Sequence, residues 1–175
     1  YDPLEIVVVD DRSTDRTGAI LDQVAADVDP TGRRVVPVHN STLPPGWLGK
    51  CHACHLGATR TESEWILFTD GDVTLATDDL LARVMRFVLR NGIDHLTVAP
   101  DTRPMTIPHE ATMTAFGQIF IAAARIPEMD RGEPRGGIGV GAFNLVRRTD
   151  YARIGGHELL KMDTADDLKL GILLR

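Results

Sequence analysis

The sequence predicts an α/β fold, a mostly parallel sheet flanked by helices, and three observations carry that reading. Short apolar, β-branched runs such as LEIVVV (residues 4–9) and WILFT (residues 65–69) read as buried strands. Segments with apolar residues at helical spacing lie between such runs. Acidic clusters, Asp10-Asp11 and Asp70-Gly71-Asp72, stand directly after two of the strands. In sheets of this kind ligands sit outside the carboxyl ends of the strands, so these clusters mark the expected site.

The elements follow in order. After the strand at residues 4–9, Ser13, Thr14 and Asp15 are residue types that cap helices. Ile20, Leu21, Val24 and Val28 then share one helical face, and Pro30-Thr31-Gly32 stops that helix. Residues 34–38 read as a second strand, and LPPG at 43–46 as a loop. A helical pattern over residues 49–60 leads to the strand at 65–69. Leu81, Val84, Met85 and Val88 mark another helix, which Asn91-Gly92 ends. Residues 95–99 read as a strand. Met113, Phe116, Gly117, Phe120, Ile121 and Ala124 form an apolar stripe at helical spacing. A polar, Gly-rich loop over 130–137, a strand over 141–147 and a helix over 164–174 complete the chain.

The 175 residues suit one domain. Lys plus Arg total 19 against 25 Asp plus Glu, giving a net charge of −6. That balance argues against a nucleic-acid binder, which would carry a basic stripe. No apolar run reaches the roughly 18 residues that span a bilayer, and no secretory signal is visible, so a cytoplasmic location is expected. Two cysteines are too few for a disulfide framework. The chain opens on Tyr1-Asp2-Pro3 and closes inside a helical pattern, so both ends are expected to cut through structure.

The chemistry starts with Asp70-Gly71-Asp72. If the strand continues through it, residues i and i+2 point the same way and two carboxylates face one point. Their repulsion calls for a cation, and a hard ion such as Mg²⁺ or Mn²⁺ takes one or two carboxylates plus phosphate oxygens. A solvated Asp-Gly turn is the plainer account. Asp10 and Asp11 are placed to accept a hydrogen bond from a base or a ribose, against a plain helix-capping role for the segment. Asp166 and Asp167 open the last helix, where the dipole favours carboxylates, and one of them is placed to act as a general base. Lys50 enters a helix N-terminus, where its charge meets an unfavourable dipole and a nearby anion is expected.

Four blocks resemble glycosyltransferase family 2. VVDDRSTD (8–15) resembles its VVDDxSxD block, and FTDGD (68–72) its DxD block. GAFNLVRR (141–148) followed by IGGHE (154–158) is similar to its acceptor-side strand and GG turn, and DDLKLG (166–171) to its E-D-x-x-L-G block. LPPGWLGK and GAFNLVRR look most like the hopanoid-associated and ceramide-glucosyltransferase-like branch. The resemblance implies a GT-A fold and inverting transfer of a sugar from a nucleotide donor, usually UDP-linked, with Mn²⁺ or Mg²⁺. It implies that Asp10, with Asp11 beside it, contacts the base and that Asp70 lies on the ribose side. Asp72, with Asp70, binds the metal, and Lys50 lies near the nucleotide or its diphosphate. Asp167 is the general base and Asp166 its neighbour. His157 is a weaker candidate for acceptor or metal, with a loop histidine after Gly-Gly the plainer reading. The acceptor is open, a lipid or a polysaccharide, and nucleic acid is not a partner. The resemblance also puts the family's first strand before Tyr1 and a Q-x-x-R-W block after Arg175. Residues 1–175 therefore read as a single catalytic domain lacking its first strand and C-terminal part, with any membrane association residing outside them.

Other classes compete. Cys51-His52-Ala53-Cys54-His55 matches the C-x-x-C-H haem attachment signature, and the same residue types bind zinc. The two Cys and two His lie on adjoining helix faces, so small buried residues with a partly exposed His are expected instead. A nucleotidyltransferase or an inactive nucleotide-binding module on a similar fold is the nearer rival, and the E-D-like block favours glycosyl transfer.

Overall fold

The computed structural model describes residues 3–27, 33–101, 106–124 and 137–175. The predicted stop at Pro30-Thr31-Gly32, the place of Val28 and residues 130–136 of the Gly-rich loop lie outside these. The described chain runs β1 (Glu5–Asp11), α1 (Thr17–Ala26), β2 (Arg34–Asn40), α2 (Gly49–Thr59), β3 (Trp65–Phe68), α3 (Leu80–Asn91) and β4 (His95–Thr97). It continues through α4 (Ile107–Ala123), β5 (Asn144–Arg147), α5 (Arg148–Arg153), a 3-10 turn (Gly156–Leu160) and α6 (Asp166–Leu173).

β1 and β2 pair in parallel, from Glu5 against Arg34 to Asp11 against Asn40. Pro37 sits within β2, where it lacks an amide to donate; among the described strands β2 pairs on one side only, which suits a proline. The second sheet departs from the mostly parallel expectation. Its order is β3-β5-β4, and β5 runs antiparallel to both neighbours. The reason is connectivity. The excursion through α4 returns the chain to the carboxyl ends of β3 and β4, so β5 can only run back between them. Asn144, its first residue, therefore lies opposite Phe68 and Thr97, the last residues of those strands. This reversal delivers residues 139–142 to the acidic end of β3.

β5 is buried on both faces, and its side chains alternate between two cores. Val146 joins Ala58, Ile66, Tyr151, Leu160 and Leu170 on one side. Leu145 joins Phe143, Met85 and Val88 of α3 on the other. Helix α3 ends as its sequence predicts: Gly92 adopts a left-handed conformation (φ 62°) and its amide bonds Val88. Helix α4 forms over the predicted stripe, started by Thr106, whose hydroxyl accepts from the His109 amide. Its apolar side chains are nonetheless open: Phe116 is 60% and Ile119 68% exposed. Among the described strands β1 and β3 each pair on one side only, and residues 5–9 and 65–69 line a cleft of about 610 Å³ floored by Lys50, Cys54 and Gly57 of α2.

Leu170 is fully buried in the first core. Leu170→Ala should lower stability by about 2–5 kcal/mol, measured by urea unfolding. Ile119→Ala on the open face of α4 should stay within about 0.5 kcal/mol.

Candidate active site

Lys50 is the second residue of α2, and its ammonium joins two of the predicted carboxylates. Nζ donates to Asp167 Oδ2 at 2.8 Å and stands 3.4 Å from Asp70 Oδ1. These three groups come from the start of α2, the end of β3 and the first turn of α6. They meet where Gly141 has no side chain. A Cβ there would lie 2.6 Å from Asp167 Oδ2, 2.8 Å from Asp70 Oδ2 and 3.1 Å from Lys50 Nζ. The backbone locks the same corner, since the Asp70 amide bonds the Gly141 carbonyl (3.1 Å) and the Thr69 hydroxyl bonds the Ala142 carbonyl (2.9 Å). The anions expected beside Lys50 are thus Asp167 and Asp70.

The electrostatics follow from half-burial. Burial works against the Lys50 charge, but the bond to Asp167 and the charges of Asp167, Asp166 and Asp70 outweigh it and raise its pKa. Burial raises the Asp167 pKa; the Lys50 bond opposes this and the Asp166 charge adds to it. The result is a carboxylate of raised basicity facing a partly open site, which suits proton abstraction.

The Asp70-Gly71-Asp72 segment corrects one expectation. β3 ends at Phe68, and the Val73 amide bonds the Asp70 carbonyl (3.3 Å), so the segment is a turn and the alternation of an extended strand does not apply. Asp72 is exposed, and Asp70 is half-exposed with Lys50 as its partner. An all-oxygen, solvent-facing pair of this kind fits a hard divalent ion that keeps water and phosphate ligands.

Asp10 and Asp11 lie at the end of β1, where their side chains are held by the protein. Hydrogen bonding to Ser13 foremost, then to His39, holds Asp10 below the usual carboxylate range. His39 Nδ1 stands 3.4 Å from Asp10 Oδ2, and its Nε2 bonds Asp22 of α1 at 2.8 Å. The Oδ1 atom of Asp10 is buried without a partner. Asp11 accepts both forks of Arg12 (3.0 and 2.8 Å) and the Asn40 amide (2.7 Å). Arg12 holds a positive φ of 63°, which turns the chain back over Asp11. The Asp11–Arg12 pair packs on Gly49, where a Cβ would come within 2.8 Å of Asp11 Oδ2. Both acidic strand ends therefore flank the N-terminus of α2, where negative charge is favoured.

The C-x-x-C-H residues separate. Cys51 is fully buried and its thiol donates to the Asp163 carbonyl (3.4 Å). His52 bonds Asn40, and Trp47 packs on both His52 and His55. Cys54 instead faces His157 and Asp166. His157 is no loop histidine: it is 1% exposed, with Nδ1 2.9 Å from Tyr151 Oη. The sequence reading missed this because Gly155 and Gly156, which suggested a loop, both hold positive φ (79° and 55°) and turn the chain inward. Asp166 is 3% exposed and points at His157, so the Asp166-Asp167 pair divides between the core and the cleft.

Known proteins share this arrangement of chain. The model of the family described as Glycosyl transferase family 2 matches residues 1–155. A 4,4'-diaponeurosporenoate glycosyltransferase of Staphylococcus haemolyticus (strain JCSC1435) is 25% identical over 171 residues, covering 96% of this chain and 43% of the relative. The protein of the same name from Staphylococcus aureus (strain USA300) is 26% identical, covering 97% of this chain and 43% of the relative. The chain thus spans less than half the length of these relatives. Among solved structures, the mannosyltransferase PcManGT from Pyrobaculum calidifontis, in complex with GDP-Man and Mn2+, superposes with a TM-score of 0.64. It is 22% identical, and the match covers 95% of this chain and 41% of that one. This likeness bears out the expected GT-A fold.

Gly141→Ala should push the ends of the Lys50, Asp70 and Asp167 side chains apart while stability stays within about 0.5 kcal/mol, because the Cβ meets only the far ends of flexible side chains. A crystal structure of the variant should show the Lys50–Asp167 pair opened; an unmoved pair would contradict the packing of the three groups around Gly141.

Proposed function

The chain belongs to glycosyl transferase family 2, and on that premise we propose that it transfers a sugar from a nucleotide-sugar donor to an acceptor hydroxyl, inverting the anomeric carbon. The observation that carries this is the convergence of Lys50, Asp70 and Asp167 on Gly141, beside the Asp70-Gly71-Asp72 turn. The cleft between β1 and β3, each with one side unpaired among the described strands, is the place we assign to the family's first strand.

Asp72 and Asp70 would hold Mn²⁺ or Mg²⁺, which supplies Lewis-acid stabilisation of the departing diphosphate. Asp10 and Asp11 border the base and ribose end of the donor. Lys50 exchanges its ion pair with Asp167 for one with the diphosphate, which frees the Asp167 carboxylate. Asp167 then takes the proton of the acceptor hydroxyl, and the oxygen attacks the anomeric carbon opposite the leaving nucleoside diphosphate. Asp166 stays buried and positions its neighbour. The donor is UDP-linked on the family resemblance, and the solved neighbour's GDP-Man makes a GDP-linked donor the comparison to run. The curated relatives are named for 4,4'-diaponeurosporenoate, so an apolar, lipid-like acceptor is the class to test. The open apolar face of α4 is suited to such an acceptor. No helix of the described residues is long and apolar enough to cross a membrane.

Calorimetry of the full-length protein with UDP- and GDP-sugars and Mn²⁺ tests the donor. Asp72→Ala should lose the Mn²⁺-stimulated part of donor binding, and unchanged binding would remove the metal assignment. Asp167→Asn should keep donor binding while transfer falls by about 10²–10⁴-fold. Retained turnover would remove Asp167 as the base.

A further inference from the structure

Cys54, His157 and Asp166 meet behind the Lys50 cluster, and the reaction outlined above uses neither Cys54 nor His157. One ligand atom from each, a thiol sulfur, an imidazole nitrogen and a carboxylate oxygen, lies within 4.8 Å of the other two. Among the described residues this is the one such trio of potential metal ligands. An independent observation points to a missing cation. Asp166 Oδ2 is buried and has no hydrogen-bond partner. The Nε2 of His157 stands 3.7 Å away, beyond hydrogen-bond reach. A buried carboxylate oxygen left in that state is costly, and a cation between the three groups would remove the penalty.

The surroundings are built for such an ion. His157 Nδ1 is 2.9 Å from Tyr151 Oη, and Tyr151 Oη also accepts from the His157 amide (3.1 Å). An outer partner on one ring nitrogen orients the other toward a metal. Phe68 packs edge-on against the imidazole at 4.8 Å, which further fixes the ring. Cys54 comes from α2, His157 from the 3-10 turn and Asp166 from α6. These segments are tied independently: the Leu48 amide bonds the Lys161 carbonyl (2.7 Å), and the Cys51 thiol bonds the Asp163 carbonyl (3.4 Å).

We propose that Cys54 Sγ, His157 Nε2 and Asp166 Oδ2 form a binding site for a divalent metal of borderline softness, with zinc as the ion that fits best. One sulfur, one nitrogen and one oxygen select zinc over the hard ions that oxygen-only sites take. The Asp70/Asp72 turn offers oxygens alone, so the two sites sort metals by ligand chemistry. Binding forms the metal–sulfur bond as the Cys54 thiol releases one proton to solvent. The ring proton of His157 then resides on Nδ1 and is donated to Tyr151 Oη, leaving the Nε2 lone pair for the metal. Burial holds the Cys54 thiol neutral without metal, pushing its pKa up to about 12. The bound ion would join α2, which carries Lys50, to the turn that carries Asp167, independently of any donor.

Chelator-treated full chain titrated with Co²⁺ tests this directly. A thiolate-to-cobalt charge-transfer band should appear, saturate at one ion per chain and be displaced by Zn²⁺. The band should vanish in Cys54→Ser and persist in Cys51→Ser, and Tyr151→Phe should weaken binding about 10–100-fold. Alkylation of the unmutated chain needs no variant: Zn²⁺ should protect Cys54. Absence of the band in the unmutated chain, a band that follows Cys51, or equal alkylation of Cys54 with and without Zn²⁺ would overturn the proposal.

Discussion

The ion pair between Lys50 and Asp167 is the constraint on which the site depends. It links residues 117 positions apart, at the start of α2 and the start of α6. Without a cation there, Asp70 and Asp167 would meet as two carboxyl groups, with the Asp166 charge close behind them, in a protein already carrying a net charge of −6. A lysine at a helix N-terminus is unfavourable by itself. The adjacent carboxylates offset that, and Lys50 in turn holds them together. The pair is a quarter to a half exposed, so solvent screens it and the diphosphate of the proposed donor would be able to compete for it. A fully buried pair would be too tightly held for such exchange.

The antiparallel β5 makes this corner geometrically available. Because it begins beside the ends of β3 and β4, the residues before it pass across the acidic strand end. Gly141 is where they meet the charged side chains, and its lack of a Cβ leaves the space that three of those groups share. Val146 and Leu145, facing opposite cores, anchor that strand from both sides. Stability and site geometry therefore meet in four residues of sheet.

Much of the fold was legible in the sequence. Apolar β-branched runs marked β1 and β3, and Asn91-Gly92 marked the end of α3 because a left-handed residue was needed there. Local patterns report local conformation, so the direction of β5 was not readable: it depends on where a long excursion returns the chain. The turn at Asp70-Gly71-Asp72 was misjudged for a related reason, since a strand pattern does not say where pairing stops. Lys50 announced an anion through the helix dipole but not which one. His157 and Tyr151 left no periodic signal, because a 3-10 turn after two left-handed glycines follows neither helical nor strand spacing. The separation of Asp166 from Asp167 was equally hidden. Adjacent residues on a helix point about 100° apart, so one enters the core as the other faces the cleft.

The pH dependence of kcat/KM for sugar transfer by the full-length protein tests most directly whether Lys50-paired Asp167 is the base. A protonated Asp167 cannot accept the acceptor's proton, so activity should fall as pH drops through its pKa. That pKa is raised, so the acid limb should lie above the range of an ordinary aspartate. Lys50→Met removes the group that lowers it and should move the limb to still higher pH. A limb at the ordinary aspartate value, or one that stays in place in Lys50→Met, would contradict the account.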